Sequence, residues 1–327
     1  MKSKLFLYLL GKQCGFSMSE YRKLVEESQY WNNDQIQDYQ IAKLQPLIVH
    51  TFNDVPHYQK IFKSIGMIPD DIKTINDLKY LPIIHKQEVI DATEEFLAVN
   101  YKKFKASKHH TGGTTGIPFT YYTDRNAWAL NWALKMRTFD WAGFHYGDDR
   151  LGVMAGGSLN PNTQMSISHR LWRFANNYYT MPITHMDGEI MKEYATQLAK
   201  QRIQFLRGYP SAINTFSEYL NERNQRIALK GIFTTAEMLL PHQRDSIKKA
   251  FGCDIFDTYG CGDGMGHATE CEKHEGLHIC HETSIMEIVD SNGNEVKEGE
   301  EGENVQFIIE NTHGNEIIYV LKQKELI

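Results

Sequence analysis

The sequence has little of what marks secreted, membrane-spanning or nucleic-acid-binding proteins. Its five cysteines are scattered without a disulfide framework, which favours a reducing cytosol. The formal net charge of −6 is mildly negative and excludes a broad attraction to DNA, RNA or anionic lipid. No apolar run approaches the ~20 residues of a membrane span. The apolar stretch Leu5–Leu10 is short for a signal peptide, and no small-residue cleavage site follows it. We therefore expect a cytoplasmic protein that neither spans a membrane nor binds nucleic acid.

The N-terminal part of the chain has the periodicity of helices. The length of 327 residues suits one large domain or two smaller ones. Apolar residues such as Leu24, Trp31 and Ile41 recur at roughly helical spacing over residues 17–66. Prolines break the stretch 69–81 into short helical turns, and another helix is expected over 85–96. We assign residues 1–100 to an N-terminal helical segment.

Strands and helices alternate after residue 100. The strands are expected at 104–110, 119–123, 151–155, 205–208, 232–235 and 254–259. The helices are expected after Asp124 as N-cap, near 163–175, and at 187–201, 211–224 and 241–251. This order predicts a layered αβα domain with a mostly parallel sheet over residues 101–275. Strands at 285–289 and 305–309, with a hairpin signal at Asn292-Gly293, predict a small antiparallel β subdomain over residues 276–327.

One loop is the most informative segment of the sequence. It reads Thr111-Gly112-Gly113-Thr114-Thr115-Gly116-Ile117-Pro118. Glycines let a backbone approach a ligand closely and threonines add hydroxyl donors, so the loop suits phosphate oxygens. An ordinary turn is the alternative. No lysine follows Gly116, so the loop is not a Walker A motif, which disfavours kinases and P-loop ATPases. His109 and His110 precede the loop; either they approach phosphate, or one ring is packed and the other solvated.

Several further segments, taken together in their order, resemble one family. They are Asn53–Tyr58, Asp70–Lys73, Leu81-Pro82, the loop 111–118, Gly208–Ala212, Thr234–Leu239, Tyr259–Asp263, Glu270-Cys271 and Gly276–Ile279. The chain resembles the phenylacetate–CoA ligases and the related capsular-polysaccharide biosynthesis (coenzyme F390 synthetase-like) proteins of the adenylate-forming superfamily. The resemblance covers nearly the whole chain up to about Glu303.

The resemblance implies ATP-dependent activation of a carboxylic acid. A carboxylate oxygen leaves poorly and AMP leaves well, so the acid is first joined to AMP with release of pyrophosphate. Coenzyme A or a carrier thiol then takes the acyl group. The implied partners are a small-molecule carboxylate, ATP or AMP, the thiol, and Mg²⁺, which bridges phosphate oxygens. The acid is not identified, and whether the chain is a homodimer is left open.

The resemblance also assigns residues to the nucleotide. Those that would wrap the β- and γ-phosphates are Thr111, Gly112, Gly113, Thr114, Thr115 and Gly116. Tyr259 and Gly260 would lie against the adenine, and Glu237 would lie at the edge of the nucleotide pocket. Thr115 and Asp263 would take part in the reaction. Asp263 occupies the place of the family's magnesium-binding glutamate and is one methylene shorter, which changes its reach.

The acyl group would lie near Tyr209, Pro210 and Ser211, in a turn that resembles the family's acyl pocket. Trp132 and Trp141 are further candidates for lining this pocket. Packing in the core is the alternative role for either indole.

A group of cysteines and histidines invites a zinc interpretation. Its members are Cys261, His267, Cys271, His274, His278, Cys280 and His281. Some relatives hold zinc through a Cys and a His spaced like Cys271 and His278, together with a later Cys pair that this chain lacks. Zinc at Cys271 and His278 is therefore one hypothesis, and buried thiols with surface histidines are the other.

The chain departs from the family after Gly299–Glu303. The family continues with Pro-Leu-Ile-Arg-Tyr, a Gly-Asp pair and a mobile C-terminal lid domain that carries a lysine, and none of these is recognisable here. Loss of one charge-stabilising group can cost a factor of about 10² to 10³ in rate, so we expect impaired adenylation. The alternatives are an inactive relative that binds nucleotide or a partner protein, and a small-molecule- or metal-binding structural protein built on the Cys/His group.

Overall fold

The computed structural model describes residues 2–14, 18–104, 106–110, 120–155, 167–260, 267–290, 292–297, 299–309 and 325–326. The chain divides into two units. The first unit comprises Met1–Gln13, Lys135–Gly260 and Ala268–His278, and the second unit comprises Cys14–Leu134, Cys261–His267 and Ile279–Ile327. The continuous domain boundaries expected at residues 100 and 275 stay a prediction.

The helices and strands have the following bounds. The α-helices are α1 (Lys2–Cys14), α2 (Met18–Ser28), α3 (Asn33–Asp54), α4 (Pro56–Ile65), α5 (Lys86–Asp91), α6 (Arg125–Trp141), α7 (Ile167–Asn176), α8 (Gly188–Lys200), α9 (Pro210–Glu222) and α10 (Pro241–Phe251). The strands are β1 (Ser107–His110), β2 (Thr120–Thr123), β3 (Leu151–Ala155), β4 (Tyr178–Pro182), β5 (Phe205–Gly208), β6 (Gly231–Thr235), β7 (Asp254–Gly260), β8 (His267–Thr269), β9 (His278–Ile279), β10 (Ser284–Val289), β11 (Glu303–Ile308) and β12 (Glu325–Leu326). None of the described helices combines the length and apolar character that a bilayer span requires.

A parallel sheet forms the centre of the first unit. Its strands lie in the order β4-β3-β5-β6-β7, and β8 and β9 continue the sheet beyond β7. One face carries Leu206, Ile232 and Ile255, which pack against side chains of the helices α8, α9 and α10. These helix residues include Leu198, Ile213, Phe216, Ile247 and Phe251. The period of two along each strand places the aliphatic residues on this face together.

The other face of the sheet is aromatic and is covered by α6, whose residues from Lys135 onward belong to the first unit. Phe139 of α6 stacks on Phe233 of β6, with ring centroids 3.8 Å apart and an interplanar angle of 5°. Phe144 contacts Phe205 edge to face at 5.2 Å. Helices therefore cover both faces, and the expected layered α/β fold with a mostly parallel sheet is confirmed.

Strand β4, at the end of this sheet, has no counterpart among the predicted elements. Among the described strands it pairs with β3 alone, and its last residue is Pro182. The hydroxyl of Tyr194 in α8 donates a hydrogen bond to the carbonyl oxygen of Pro182. Burial raises the pKa of Tyr194 to about 12, so this hydroxyl stays protonated and available as a donor.

The second unit contains the predicted N-terminal helices. The region 17–66 holds α2, α3 and α4, and short 3₁₀ turns follow at Pro69–Asp71 and Ile75–Tyr80, as expected. A capping box starts α3, because Gln35 N–H donates to Asn32 Oδ1 at 2.9 Å and Asn32 N–H donates to Gln35 Oε1 at 3.1 Å. The core joins this helical region to β10 and β11. Its fully buried members include Leu44, Ile48, Val55, Phe62, Leu78, Phe96, Val289 and Val305.

Strands β10 and β11 form the expected antiparallel pair, from Ser284↔Ile308 to Val289↔Glu303. The predicted Asn292-Gly293 turn closes a short antiparallel pairing, in which Val289 bridges Glu295 and the N–H of Val296 donates to the carbonyl oxygen of Ile288 at 3.0 Å, and the chain then continues to β11. The carboxylate of Asp290 accepts hydrogen bonds from the N–H groups of Asn292 and Asn294, at 2.8 and 2.9 Å. This closes a small turn inside a longer connection, with Gly293 at a φ of 82°.

Candidate functional site

Three of the segments expected to bind ligands follow neighbouring strands of the first unit. The parallel register aligns Gly208 of β5 with Thr234 of β6, and Thr234 with Asp257 of β7. The segments Tyr209–Ser211, Thr235–Glu237 and Tyr259-Gly260 therefore lie at the same edge of the sheet. In open α/β sheets this carboxyl edge is where ligands bind.

Glu237 joins two of these segments. Its Oε2 accepts a hydrogen bond from the backbone N–H of Ser211 at 3.0 Å. Ser211 lies in the first turn of α9, where Tyr209 as N-cap makes no side-chain cap and Pro210 has no N–H to donate. The Glu237 carboxylate thus supplies the missing acceptor at the positive end of the helix. The segment expected at the nucleotide edge is held against the segment expected at the acyl group.

The backbone that positions Glu237 is strained. Ala236 has a φ of 69°, in the left-handed region that residues with a Cβ rarely adopt. Such a residue costs roughly 1–3 kcal/mol and persists where surrounding contacts fix it. The Glu237–Ser211 hydrogen bond is one such contact, and it is made by the residue directly after the strained Ala236.

A partly buried hydrogen bond connects the ends of β6 and β7. The hydroxyl of Thr234, which is fully buried, donates to Asp257 Oδ1 at 2.5 Å. Burial raises the pKa of Asp257, the nearby Glu270 carboxylate raises it further, and the Thr234 hydrogen bond opposes both. The bond holds the carboxyl-terminal half of β7, which ends with Tyr259 and Gly260, against the end of β6.

Arg244 and Glu270 both hydrogen-bond to the backbone of β7 and pair with each other, and sequence reasoning missed this pair. Arg244 donates to Glu270 Oε1 at 2.6 Å and to the carbonyl oxygen of Ile255 at 2.9 Å. Glu270 Oε2 accepts from the N–H of Asp257 at 3.0 Å and lies 3.2 Å from His274 Nδ1. Glu270 is only 7% exposed, so its charge depends on these partners. The sequence marks Glu270 only as part of a family-like segment and gives no signal for Arg244.

Gly208 is required by close packing of strands. A Cβ at this position would lie 2.5 Å from the carbonyl oxygen of Met154 and 2.9 Å from its Cβ. Because β3 and β5 are adjacent in the sheet, the backbone of Met154 cannot move away cheaply. The glycine before Tyr209 therefore lets β5 lie close to β3 at the carboxyl edge.

The loop 111–118 and Asp263 lie outside the described residues, so their predicted roles are untested. The hairpin that leads to the loop, formed by β1 and β2 in the second unit, is described. The ring of His109 lies 5.2 Å from that of Tyr121 and 6.4 Å from that of Trp128, and its Nε2 is 2.8 Å from Thr123 Oγ1. Burial lowers the pKa of His109, and the charge of His110 adds to this. His110 is exposed, so one ring is packed and the other solvated.

Cys261 lies outside the described residues, and the described members of the Cys/His group give no support for a zinc site. Within the described residues, no group of three or more His, Cys, Asp or Glu side chains is suited to hold a metal ion. The His278 ring packs edgewise on Trp141, with centroids 5.5 Å apart, and Arg137 lies 5.6 Å from the same indole. Cys271 Sγ accepts a hydrogen bond from the N–H of Lys273 at 3.4 Å. Trp141 has packing partners of its own, which matches the alternative to its expected role in the acyl pocket.

Curated relatives were found over most of the chain. CapK from Staphylococcus aureus is 29% identical over 245 residues, which cover 72% of this chain and 52% of CapK. The phenylacetate–coenzyme A ligase of Aromatoleum evansii is 26% identical over 302 residues, covering 83% of this chain and 62% of the ligase. The enzyme of the same name from Escherichia coli (strain K12) is 26% identical with the same two coverages. No family model matches the chain. The chain thus spans between 52% and 62% of the length of these relatives.

Solved structures give the fold. An open conformation of 2-hydroxyisobutyryl-CoA ligase in complex with 2-HIB-AMP and CoA aligns with a TM-score of 0.66 at 19% identity, covering 85% of this chain and 66% of the ligase. The same ligase in its thioesterification state aligns with a TM-score of 0.68 at 18% identity, covering 88% and 62%. Over most of its length, the chain is a homologue of CapK and of the phenylacetate–coenzyme A ligases, and it has the fold of an adenylate-forming CoA ligase.

Proposed function

We propose that the chain activates a carboxylic acid as an acyl-adenylate and passes the acyl group to the thiol of coenzyme A or of a carrier. The observation that carries this proposal is the Glu237–Ser211 hydrogen bond, 3.0 Å long, at the carboxyl edge of the parallel sheet. It brings a segment expected to border the nucleotide against one expected to border the acyl group. The relatives named as CoA ligases support the same chemistry.

Two bond exchanges make up the reaction. A carboxylate oxygen of the acid attacks the α-phosphorus of ATP, the bond to the β-phosphate oxygen breaks, and pyrophosphate leaves. The sulfur of the thiol then attacks the acyl carbon, AMP leaves with the bridging oxygen, and the thiol proton passes to solvent. Holding the two anions in line is the main task of the protein, because proximity and charge compensation lower the barrier.

We assign the residues as follows. Tyr259 and Gly260 border the adenine, Glu237 closes the edge of the nucleotide pocket, and Tyr209–Ser211 border the acyl group. The residues assigned to the phosphates lie outside the described part of the chain and are Thr111, Gly112, Gly113, Thr114, Thr115 and Gly116. Asp263, also outside it, is the proposed ligand of Mg²⁺, which would offset phosphate charge.

Calorimetric titration with AMP and with ATP–Mg²⁺, followed by pyrophosphate exchange with a panel of acids beginning with phenylacetate, tests the proposal. We expect nucleotide binding that the double variant Thr114→Ala/Thr115→Ala weakens at least tenfold, because two hydroxyl donors are lost. Thr196→Ala, at an exposed position on α8, is the matched control and should bind as the wild type does. A chain that binds neither nucleotide refutes the proposal.

Nucleotide binding without turnover is the second candidate. Binding of AMP and ATP without exchange for any acid would assign this function, whereas exchange with any acid would assign the first.

A further inference from the structure

Helix α7 carries large apolar side chains on its exposed face. Ile167, Leu171 and Phe174 are 85%, 42% and 48% exposed, respectively. Because they lie at positions i, i+4 and i+7, they share one face of the helix, and Arg170 at i+3 lies on the same face. The opposite face carries Asn176, which is buried. An exposed apolar face of this kind is typical of a surface that binds a partner or a membrane.

Helix α1 extends the exposed apolar surface. The ring of Phe6 in α1 lies 5.6 Å from that of Trp172 in α7, so the two helices are neighbours within the first unit. Phe6 is fully buried, whereas Leu7 and Tyr8 are 41% and 57% exposed. Lys12 is also exposed, and its Nζ lies 4.9 Å from the centroid of the Tyr8 ring. We call the exposed residues named here and above, on α1 and α7, the α1/α7 surface.

The charge of these two helices has one sign. Helix α1 contains three lysines and α7 contains two arginines, and neither helix contains an aspartate or a glutamate. Within the described residues, neither Lys12 nor Arg170 forms an ion pair. Positive charge therefore lies beside exposed apolar side chains, and this combination is typical of helices that bind in the headgroup region of a bilayer.

A second copy of the chain is a less suitable occupant of this surface. In a symmetric dimer the same patch of both subunits meets itself. Lys12 and Arg170 would then approach positive charges of the other copy, and neither helix supplies a carboxylate to compensate them. An anionic lipid surface offers negative headgroups for the cations and acyl chains for the apolar side chains.

We propose that the α1/α7 surface binds the surface of an anionic lipid bilayer. The apolar side chains reach the boundary of the acyl chains, and Lys12 and Arg170 lie among the headgroups. The protein lies on the bilayer and does not cross it. Its formal net charge of −6 opposes a general attraction to such lipids, so binding depends on the orientation that turns this surface to the bilayer. The inference goes beyond the proposed function and does not depend on it.

Co-sedimentation with vesicles tests this inference. The vesicles consist of phosphatidylcholine alone or of an equimolar mixture of phosphatidylcholine and phosphatidylglycerol. We expect the wild type to bind the mixed vesicles about tenfold more tightly, because their headgroups attract the cations. Ile167→Gln should weaken this binding about tenfold, since the largely exposed Ile167 has most apolar area left to bury. Arg170→Gln should weaken it about threefold to fivefold.

The matched controls are Leu277→Gln and Arg226→Gln, at exposed positions in the same unit, and both should bind as the wild type does. Leu171→Gln, with a smaller loss expected, decides the question if Ile167→Gln does not fold. Wild-type chain that binds neither kind of vesicle, or α7 variants that bind no more weakly than their controls, would overturn the inference. Light scattering after size exclusion tests the other occupant. A dimer that Ile167→Gln dissociates would assign the surface to a second copy and likewise overturn the lipid proposal.

Discussion

Arg244→Met removes the cation that pairs with the buried carboxylate of Glu270, and we expect it to lower the free energy of unfolding by about 3 kcal/mol. The guanidinium donates to Glu270 at 2.6 Å and to the Ile255 carbonyl at 2.9 Å. A hydrogen bond to a charged group contributes roughly 1.5–3 kcal/mol, and breaking a buried ion pair costs about 3–5 kcal/mol. The lower end of the range for a buried ion pair applies, because the Arg244 side chain is 26% exposed and Glu270 keeps the hydrogen bond that it accepts from the N–H of Asp257.

Urea unfolding followed by tryptophan fluorescence measures the effect. The double variant Arg244→Met/Glu270→Gln should be about 1–2 kcal/mol more stable than the sum of the single variants implies, because no buried charge is then left without its partner. Lys248→Met, on the same helix, is the matched control. Lys248 pairs with Asp254 at 3.2 Å, with side chains 44% and 61% exposed, so a change below about 0.5 kcal/mol is expected. An Arg244→Met effect no larger than that of the control, or strict additivity in the double variant, would refute the reasoning.

Three further predictions concern the candidate site. Gly208→Ala places a Cβ 2.5 Å from the Met154 carbonyl oxygen and should destabilise the protein by about 2–3 kcal/mol in urea unfolding; an unchanged midpoint would show that the strands can separate. Glu237→Ala removes the acceptor from the Ser211 N–H and should cost about 1 kcal/mol, with Glu237→Gln intermediate; equal stability of the three proteins contradicts this. Burial raises the pKa of Asp257, so the wild type loses stability as the pH rises from the unfolded pKa of about 4 through the folded one. Asp257→Asn lacks this loss, so its free energy of unfolding relative to that of the wild type should be greater at pH 7 than at pH 4. A difference that does not change with pH would exclude the raised pKa of Asp257 as the cause.

The central strands of the first unit were predictable from the sequence. Short apolar runs bounded by turn residues indicated β3, β5 and β7, whose observed bounds are Leu151–Ala155, Phe205–Gly208 and Asp254–Gly260. Strand β4 was missed because Asn177 alone, in a left-handed conformation with a φ of 56°, separates it from α7, so no loop of several residues marks the boundary. Its final Pro182 also argues against a central strand, and the sheet tolerates it because β4 lies at the edge.

The length of α5 was overestimated. A helix was predicted over 85–96, and it ends at Asp91. The hydroxyl of Thr93 donates to the carbonyl oxygens of Val89 and Ile90, at 2.8 and 3.2 Å, so a side chain replaces the backbone donors that would continue the helix. Periodicity extends past this point because residues after the helix, such as Phe96, still enter the core.

The candidate site was only partly predictable. The segments after β5, β6 and β7 were assigned to ligands from their resemblance to a family, and the register brings them to one edge. The ion pair between Arg244 and Glu270 joins residues 26 positions apart on different elements, and no local pattern predicts such a contact.

Pro182 has a consequence for self-association of the protein. An exposed edge strand offers backbone donors and acceptors to which another chain can add a strand, and such addition leads to aggregation. At the last residue of β4 neither group is available, because proline has no N–H and its carbonyl oxygen already accepts the hydroxyl of Tyr194. The covalent structure of proline and the Tyr194 hydrogen bond therefore both oppose the addition of another strand at this corner of the sheet.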